Sequence, residues 1–303
     1  MKEKLNEEEK LFIKLLENGD IDTLNSTEWK NVNKIIFPNE FNNKIDNVKF
    51  PDSIKKLTFN HDFNQEIKNI KLPKSLEFLR FGEFFDQEIE NLEFPECFKG
   101  LYFGFHFNQS IEKLILPKTT LYLKFGASFN QPIEKFIFPQ YLRKLEFGIS
   151  FNQKIENVKF PQKLKKIQFS THFNQDIENV KWPPLISSIV LGENFNKSVE
   201  KCKFPTNLKY LKFGYLFNRS LYKLKINNNT KISLYNVNKT LNHGRLPSNL
   251  KYLEIEDLNK PLLNLPINLE ELYLYEEEIN NENFKKSKIP FCTKIVFKKF
   301  DYY

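Results

Sequence analysis

A strict 22-residue period constrains this chain more than any other feature of its sequence. A Phe followed by Asn, or once by Asp, recurs at this interval without an insertion or deletion. The nine copies begin at Phe41, Phe63, Phe85, Phe107, Phe129, Phe151, Phe173, Phe195 and Phe217. Such regularity is typical of a repeat array, in which each unit packs against its neighbours along one axis. The length of 303 residues is therefore no guide to the number of domains.

Each repeat carries two short apolar stretches with period two. Residues 151 to 172 read FNQKIENVKFPQKLKKIQFSTH, in which V-x-F and a later L-x-x-I-x-F alternate as half-buried strands do. Pro after the first stretch and Gly after the second indicate turns, and no copy has room for a helix of ten residues. The pattern predicts an all-β parallel solenoid with coils of about 22 residues. Each coil is expected to contribute two strands, paired with the equivalent strands one coil away.

The 32 Phe residues are explained by the core of such a solenoid. Nine open the repeats, and a second column precedes the Pro at Phe50, Phe94, Phe138, Phe160 and Phe204. A third column lies in the second strand at Phe59, Phe81, Phe103, Phe125, Phe147, Phe169 and Phe213. Stacked coils bring these columns together as a buried spine, which excludes a cofactor-binding aromatic box. We predict no cofactor.

Two polar or small columns have structural interpretations. The Asn after each Phe is expected to bond the backbone of its own and the next coil. This structural ladder consists of Asn42, Asn64, Asn108, Asn130, Asn152, Asn174, Asn196 and Asn218, with Asp86 as the exception. A Gly column is expected to form tight turns with positive φ. Its members are Gly82, Gly104, Gly126, Gly148, Gly192 and Gly214.

The Phe-Asn opening with the later L-x-x-L-x-F-G resembles the FNIP repeat, a leucine-rich-repeat-like unit of amoebae and of large viruses that infect them. The resemblance is strong over residues 41 to 238, with a half-copy at 29 to 40 and degenerate copies to about residue 298. It implies a leucine-rich-repeat-like solenoid that is used for protein–protein contacts. Some members carry an F-box before the repeats and resemble ubiquitin-ligase adaptors. Only residues 1 to 28 precede the half-copy, and this segment is shorter than an F-box. By analogy with the family, a substrate-recognition adaptor for ubiquitination is the alternative function.

The two ends differ from the regular middle. Asn6 is a candidate N-cap with Glu9 three positions on, and Gly19 follows an apolar side formed by Leu11 to Leu16. We therefore predict a helical cap in residues 1–28 that covers the first coil, with partner binding by this helix as the alternative. Residues 29–303 are predicted to form a single solenoid, with regular repeats over 41–236 and degenerate repeats over 237–298.

Function is expected at the outward positions of the coils. The residue between the two apolar positions before Pro is mostly Lys, including Lys159 and Lys181, beside a column of Glu. A solvated surface of paired charges explains most of this pattern. It does not explain Ile115 and Ile137, which interrupt the Lys column in consecutive repeats.

The second strand has a comparable irregularity. Phe78, Tyr102 and Tyr122 occupy outward or flanking positions in consecutive repeats. Exposed apolar groups surrounded by charge are typical of protein interfaces. We therefore predict that a partner protein of unknown identity binds Ile115, Ile137, Phe78, Tyr102, Tyr122, Lys159 and Lys181. Covering of these residues by a lateral loop, or by the next chain of an oligomer, is the alternative.

Other classes of function are disfavoured. The four His are too far apart to share a metal, and the three Cys form neither a C-x-x-C pair nor a disulfide framework. We predict no catalytic, cofactor-binding or metal-binding residues and no small-molecule substrate. The formal charge of +8 and the Lys column leave weak nucleic-acid binding as an alternative, against which stand the Glu column and the acidic tail. No apolar run spans a membrane, and the acidic N-terminus predicts a cytoplasmic protein, in the host cytosol if viral.

Overall fold

The computed structural model describes residues 5–236 and 246–299, and these divide between Phe151 and Asn152 into two compact units. The first unit begins with helices α1 (Glu7–Glu17) and α2 (Ile21–Ser26). Its strands are β1 (Lys34–Ile36), β2 (Lys56–Thr58), β3 (Phe78–Arg80), β4 (Gly100–Tyr102), β5 (Tyr122–Lys124) and β6 (Lys144–Glu146). Neighbouring strands are parallel, and residues 22 apart pair directly, such as Leu79 with Leu101.

The second unit has the same architecture with longer strands towards its end. The strands are β7 (Lys166–Gln168), β8 (Ser188–Val190), β9 (Tyr210–Phe213), β10 (Lys231–Asn236), β11 (Tyr252–Asp257), β12 (Glu271–Tyr275) and β13 (Lys294–Lys298). A 3-10 helix (Glu276–Asn280) and helix α3 (Glu282–Lys285) connect the last two strands. The predicted all-β, parallel, leucine-rich-repeat-like solenoid with 22-residue coils is confirmed.

A regular coil has three sides separated by three turns. In the coil that starts with β3, the sheet side is β3, the ladder side runs from Phe85 to Ile89, and the proline side runs from Leu92 to Phe94. Each turn is closed by a backbone hydrogen bond across three residues, such as that from the Leu92 N–H to the Ile89 carbonyl (3.1 Å). These three names are used below for the corresponding segments of every coil.

The prediction of two strands per coil is wrong. Only the sheet side forms a strand, whereas the proline side is extended but has no strand in any described repeat. Its alternation is nevertheless retained, since Leu114 and Leu116 are buried on either side of the exposed Ile115. The Pro that follows this segment has no N–H to donate, so each coil lacks one donor that a backbone ladder would need on this side.

The Phe columns form the core. Within a coil the rings of Phe81 and Phe85 stack with centroids 3.9 Å apart, and Phe85 stacks on Phe107 of the next coil at 6.3 Å. The first column is almost completely buried throughout, as Phe63, Phe129 and other members show. Most of the regular coils therefore contribute a pair of stacked rings to an apolar spine within each unit, which is a main source of stability in a protein with such short strands.

Helix α1 covers the first coil. Its predicted capping box is present, because the Asn6 side chain accepts from the Glu9 N–H (2.8 Å) and Glu9 accepts from the Asn6 N–H (2.9 Å). The Glu9 side chain also accepts from the Lys34 N–H of β1 (3.2 Å), and Phe12 and Leu16 are buried. The helix thus satisfies donors at the edge of the sheet. The division into a cap and one solenoid stays a prediction, and residues 237–245, where the degenerate repeats begin, lie outside the described residues.

The predicted positive φ of the Gly column is also wrong. Among the described residues only Gly19 has a positive φ, 72°. The column is required because coils approach closely: a Cβ on Gly126 would lie 1.5 Å from the carbonyl oxygen of Gly104, and one on Gly104 would lie 1.7 Å from that of Gly82. With the backbone as it stands, a side chain at either Gly would clash with the preceding coil, although Asn60 and Ser170 occupy the same column in two other coils.

Candidate functional site

The aromatic residues predicted to bind a partner lie together on the outward face of the sheet in the first unit. Strand pairing aligns Phe78 and Tyr122 on either side of Gly100, and it aligns Tyr102 between Arg80 and Lys124. Their side chains are half-buried, whereas the Leu between them on each strand points into the core. We call Phe78, Tyr102 and Tyr122 the sheet-face cluster.

Gly100 explains how these rings pack. A Cβ at this position would lie 2.9 Å from Cδ1 of Phe78 and 3.0 Å from Cε2 of Tyr102, so the two rings fill the space of the missing side chain. Partial burial raises the pKa of Tyr102, as do nearby Tyr122 and Glu146, while Arg80 opposes the shift. The cluster is therefore held in place by packing before any partner arrives.

A charged group adjoins the cluster on the same face. Glu146 of β6 forms ion pairs with Lys124 (3.4 Å) and with Lys144. Burial raises the pKa of Glu146, but the two lysines outweigh it, so that the pKa lies below its usual value. The Glu146 side chain is only 16% exposed, while that of Lys124 is 56% exposed. Positive charge therefore reaches solvent and the negative charge does not.

Ile115 and Ile137 lie elsewhere. Both are on the proline side, where they are 79% and 83% exposed, and an ion pair between Lys135 and Glu112 (3.1 Å) links the corners of their coils. The turn at Lys118 separates this side from the sheet side. The structure therefore divides the predicted apolar residues of the first unit between two surfaces.

Lys159 and Lys181 occupy the equivalent proline-side positions in the second unit. Both are exposed, and each is flanked by buried neighbours, such as Val158 and Phe160 around Lys159. They present charge to solvent in consecutive coils, and they remain predicted binding residues.

The Asn column forms a hydrogen-bonded ladder along the ladder side of each unit. The Asn42 Oδ1 accepts from the Asn64 N–H (2.9 Å), and the Asn174 Oδ1 accepts from the Asn196 N–H (2.9 Å). Asp86 accepts in the same way from the Asn108 N–H (2.8 Å). Each side chain thus satisfies the backbone of the next coil, where no sheet is present to do so.

Sequence reasoning missed a tyrosine-rich network on the sheet face of the second unit. Glu254 is almost fully buried and pairs with Lys231 (2.8 Å) and Lys298 (2.7 Å). The Lys231 ammonium also lies 5.3 Å from the ring centroid of Tyr210 and 4.3 Å from that of Tyr273. Burial raises the pKa of Glu254, but the two lysines lower it by more than burial raises it, so its pKa lies below the usual value.

A signal for this network was present in the sequence. Period-two alternation in YLEIE at 252 to 256 and ELYLY at 271 to 275 places the Glu and Tyr side chains on one face. The sequence interpretation counted Glu254 and Glu256 only as part of an acidic tail, whereas the structure pairs Glu256 with Lys212 (2.5 Å). The charges of this face largely compensate each other.

A second group was also missed, at a corner of the first unit. His61 Nδ1 lies 2.5 Å from Asp62, and its Nε2 lies 3.5 Å from Glu83. The His61 ring packs edge-on against Phe84, which in turn stacks on His106 at 4.9 Å. The hydrogen bond to Asp62 and nearby carboxylates raise the pKa of His61.

The three cysteine thiols differ in their exposure to solvent. Cys202 is buried, and desolvation raises its pKa to about 12, as expected for a core thiol. Cys97 lies at a corner and is exposed. Cys292 stands where other repeats have a core Leu, and the sequence pattern therefore predicts a buried thiol. This prediction is wrong, because Cys292 is exposed in the last described coil.

Neither a metal-binding cluster nor a membrane-spanning helix is found in the part of the chain that the structure describes. Within residues 5–236 and 246–299, no three His, Cys, Asp or Glu side chains are grouped so that they could hold a metal ion. In the same part of the chain, no helix is long and apolar enough to cross a membrane.

The chain resembles known proteins in both sequence and structure. The FNIP Repeat family model matches residues 30–84, 85–128, 129–172, 173–216 and 195–226. No curated protein matches the chain. Among solved structures, the giant-virus protein CroV588, described as a novel circular leucine-rich-repeat protein, is 28% identical with a TM-score of 0.68. The alignment covers 88% of this chain and 44% of CroV588, so the chain spans less than half the length of that protein.

Two further structures are more distant. A leucine-rich-repeat protein from Bacteroides ovatus is 16% identical, with a TM-score of 0.30 and coverage of 88% of this chain and 84% of its own. An internalin, InlF, from Listeria monocytogenes is 11% identical, with a TM-score of 0.39 and coverage of 88% and 82%. Leucine-rich-repeat solenoids typically mediate protein interactions and are generally non-enzymatic. With five matches that together extend from residue 30 to residue 226, the chain belongs to the FNIP repeat family.

Proposed function

We propose that this chain is a non-catalytic interaction scaffold that binds a partner protein through the outward faces of its coils. The observation that carries the proposal is the pair Ile115 and Ile137, two large aliphatic side chains that are 79% and 83% exposed. Burying them in an interface removes apolar surface from water, which contributes about 1.5 to 3 kcal/mol for each side chain that becomes fully buried.

The fold itself does not need these two side chains. Other members of the same proline-side column are charged, such as Lys71 and Glu93, and they are accommodated by the same coil geometry. Adjacent apolar residues in an otherwise charged column are therefore a feature of the surface and not of the core. A protein partner fits this surface best, because the charged residues around the pair resemble the polar rim of an interface. We place the protein in the cytosol, where its three Cys remain thiols.

The test is affinity purification of the tagged chain from cells that express it. Replacing Ile115 and Ile137 together by Lys restores the commonest residue of the column, so the fold and the melting temperature should be retained. Glu93→Lys, one coil earlier in the same column, is the matched control. We expect the double variant to lose the co-purified partner and the control to retain it, with the purified partner then checked in a direct binding assay. Equal recovery of the same proteins by both variants would refute the use of this surface.

A further inference from the structure

The sheet face of the first unit carries an uneven distribution of charge. Its outward strand positions contain five basic side chains and one carboxylate: Lys34, Lys56, Arg80, Lys124 and Lys144, with Glu146. The carboxylate is largely covered by its two lysines. Within residues 5–236 and 246–299, Arg80 has no ion-pair partner, and it is exposed beside Tyr102. The face therefore has an excess of positive charge at its surface.

The second unit shows that this excess is not a general consequence of the fold. There the outward lysines at 231 and 298 share the buried Glu254, and Lys212 pairs with Glu256. That face is largely neutralised by its own side chains, whereas Arg80 and Lys124 on the face of the first unit are exposed, and the one carboxylate among the outward strand residues of β1 to β6, Glu146, is shielded. An anionic partner complements the face of the first unit and not that of the second.

The sheet-face cluster supplies an apolar contact at the centre of this charge. Phe78 and Tyr102 are already packed over Gly100, and Tyr122 lies beside them. Aromatic side chains that are held before binding lose little conformational entropy when a partner covers them, and they are common at the energetic centre of interfaces. Arg80 and Lys124 flank Tyr102 on the neighbouring strands.

We propose that this face binds an acidic segment of a partner protein that also carries an apolar or aromatic side chain. The apolar side chain packs on Phe78, Tyr102 and Tyr122, and the carboxylates of the segment pair with Arg80 and Lys124. The inference rests on the proposed scaffold function and names both the surface and the chemistry of the partner.

A protein segment fits better than a nucleic acid. Single strands gain much of their affinity from bases stacked on open ring faces. Here the rings of Phe78 and Tyr102 pack against Gly100, and Phe78 and Tyr122 are two strands apart, roughly 9.6 Å at the usual strand spacing.

The binding experiment uses the full chain and three fluorescent probes: a random copolymer of Glu and Tyr, poly-Glu, and single-stranded poly(U) RNA. We expect the copolymer to bind more tightly than poly-Glu or poly(U) by fluorescence anisotropy, and to dissociate as salt is raised. Replacing Arg80 and Lys124 together by Glu should weaken copolymer binding at least about tenfold, since two attractive contacts become repulsive. The neutral pair Arg80→Gln and Lys124→Gln should weaken it less, and it provides a milder test if the charge reversal unfolds the protein.

The control reverses two exposed lysines of the second unit to which no binding role is assigned, Lys203→Glu and Lys225→Glu, which makes the same change in net charge. We expect less than about a twofold effect on copolymer binding. An equal loss in the control, no binding of the copolymer, or tighter binding of poly(U) would overturn the inference. The scaffold function would survive any of these results if the chain still lost its cellular partner when Ile115 and Ile137 are replaced. Both proposals would be wrong if the Ile115 and Ile137 variant kept the cellular partner and the Arg80 and Lys124 variant kept its affinity for the copolymer.

Discussion

Gly126 tests whether close approach of the coils, and not backbone conformation, requires the Gly column. In Gly126→Ala the new Cβ would lie 1.5 Å from the Gly104 oxygen, while real Cβ contacts essentially never fall below 3.0 Å. Relief of the clash requires the coils to separate by about 1.5 Å, which breaks the hydrogen bond from the Phe103 N–H to the Lys124 carbonyl (2.9 Å). It also loosens the stacking of Phe103 on Phe125 (5.5 Å). We expect a loss of about 3 kcal/mol or more in the free energy of unfolding.

Thermal denaturation and amide hydrogen exchange measure this effect. A loss of this size lowers the melting temperature by roughly 6 to 12 °C, and it should increase exchange at the Phe103 amide. Gly19→Ala is the matched control, because Gly19 has a φ of 72° but no atom within 4 Å of the added Cβ. The control should cost only the left-handed penalty of about 1 to 2 kcal/mol. If Gly126→Ala were no more destabilising than Gly19→Ala, the steric explanation would be wrong.

Two further predictions concern polar groups. Asn174→Ala leaves the Asn196 N–H without its acceptor and should lower the free energy of unfolding by about 1 to 2 kcal/mol. Asn174→Asp should be nearly neutral, because Asp86 accepts the equivalent hydrogen bond in its own coil. Equal melting temperatures for the two variants would contradict this prediction. The hydrogen bond with Asp62 raises the pKa of His61 above 6.5, and NMR titration of Asp62→Asn should show a lower value. Because the folded pKa is raised, the associated stability is present below the unfolded-state pKa and is lost as pH rises through the folded one. An unchanged His61 titration in Asp62→Asn would rule out this pairing.

Much of the fold could be predicted because the repeat length fixes which residues pair between the strands of adjacent coils. An unbroken 22-residue interval obliges equivalent residues to pair, so Leu79 opposite Leu101 follows from counting. Burial of the Phe columns follows for the same reason, since one apolar position becomes a continuous row. The number of strands per coil did not follow, because the proline side has the same alternation as the sheet side and differs only in its hydrogen bonding.

Less of the candidate site could be predicted from the repeat pattern of the sequence. The sequence indicated Phe78, Tyr102 and Tyr122 as outward residues, but it did not show that the missing side chain of Gly100 draws two of the rings together. Nor did it indicate the ion pair between Glu254 and Lys298, which are 44 residues apart. The strands bearing these residues are separated by one further strand, so the contact depends on how long side chains reach across the sheet.

The sequence by itself therefore determined the coil length, the parallel register, the core columns and the identity of the Asn ladder, since each follows from periodicity and from the need to bury apolar groups. The tertiary structure decided which side of the coil forms the sheet, why Gly recurs after it, and which outward residues share a surface. These features depend on distances between backbones and side chains of successive coils. A linear pattern specifies the order of such groups but not how closely they approach.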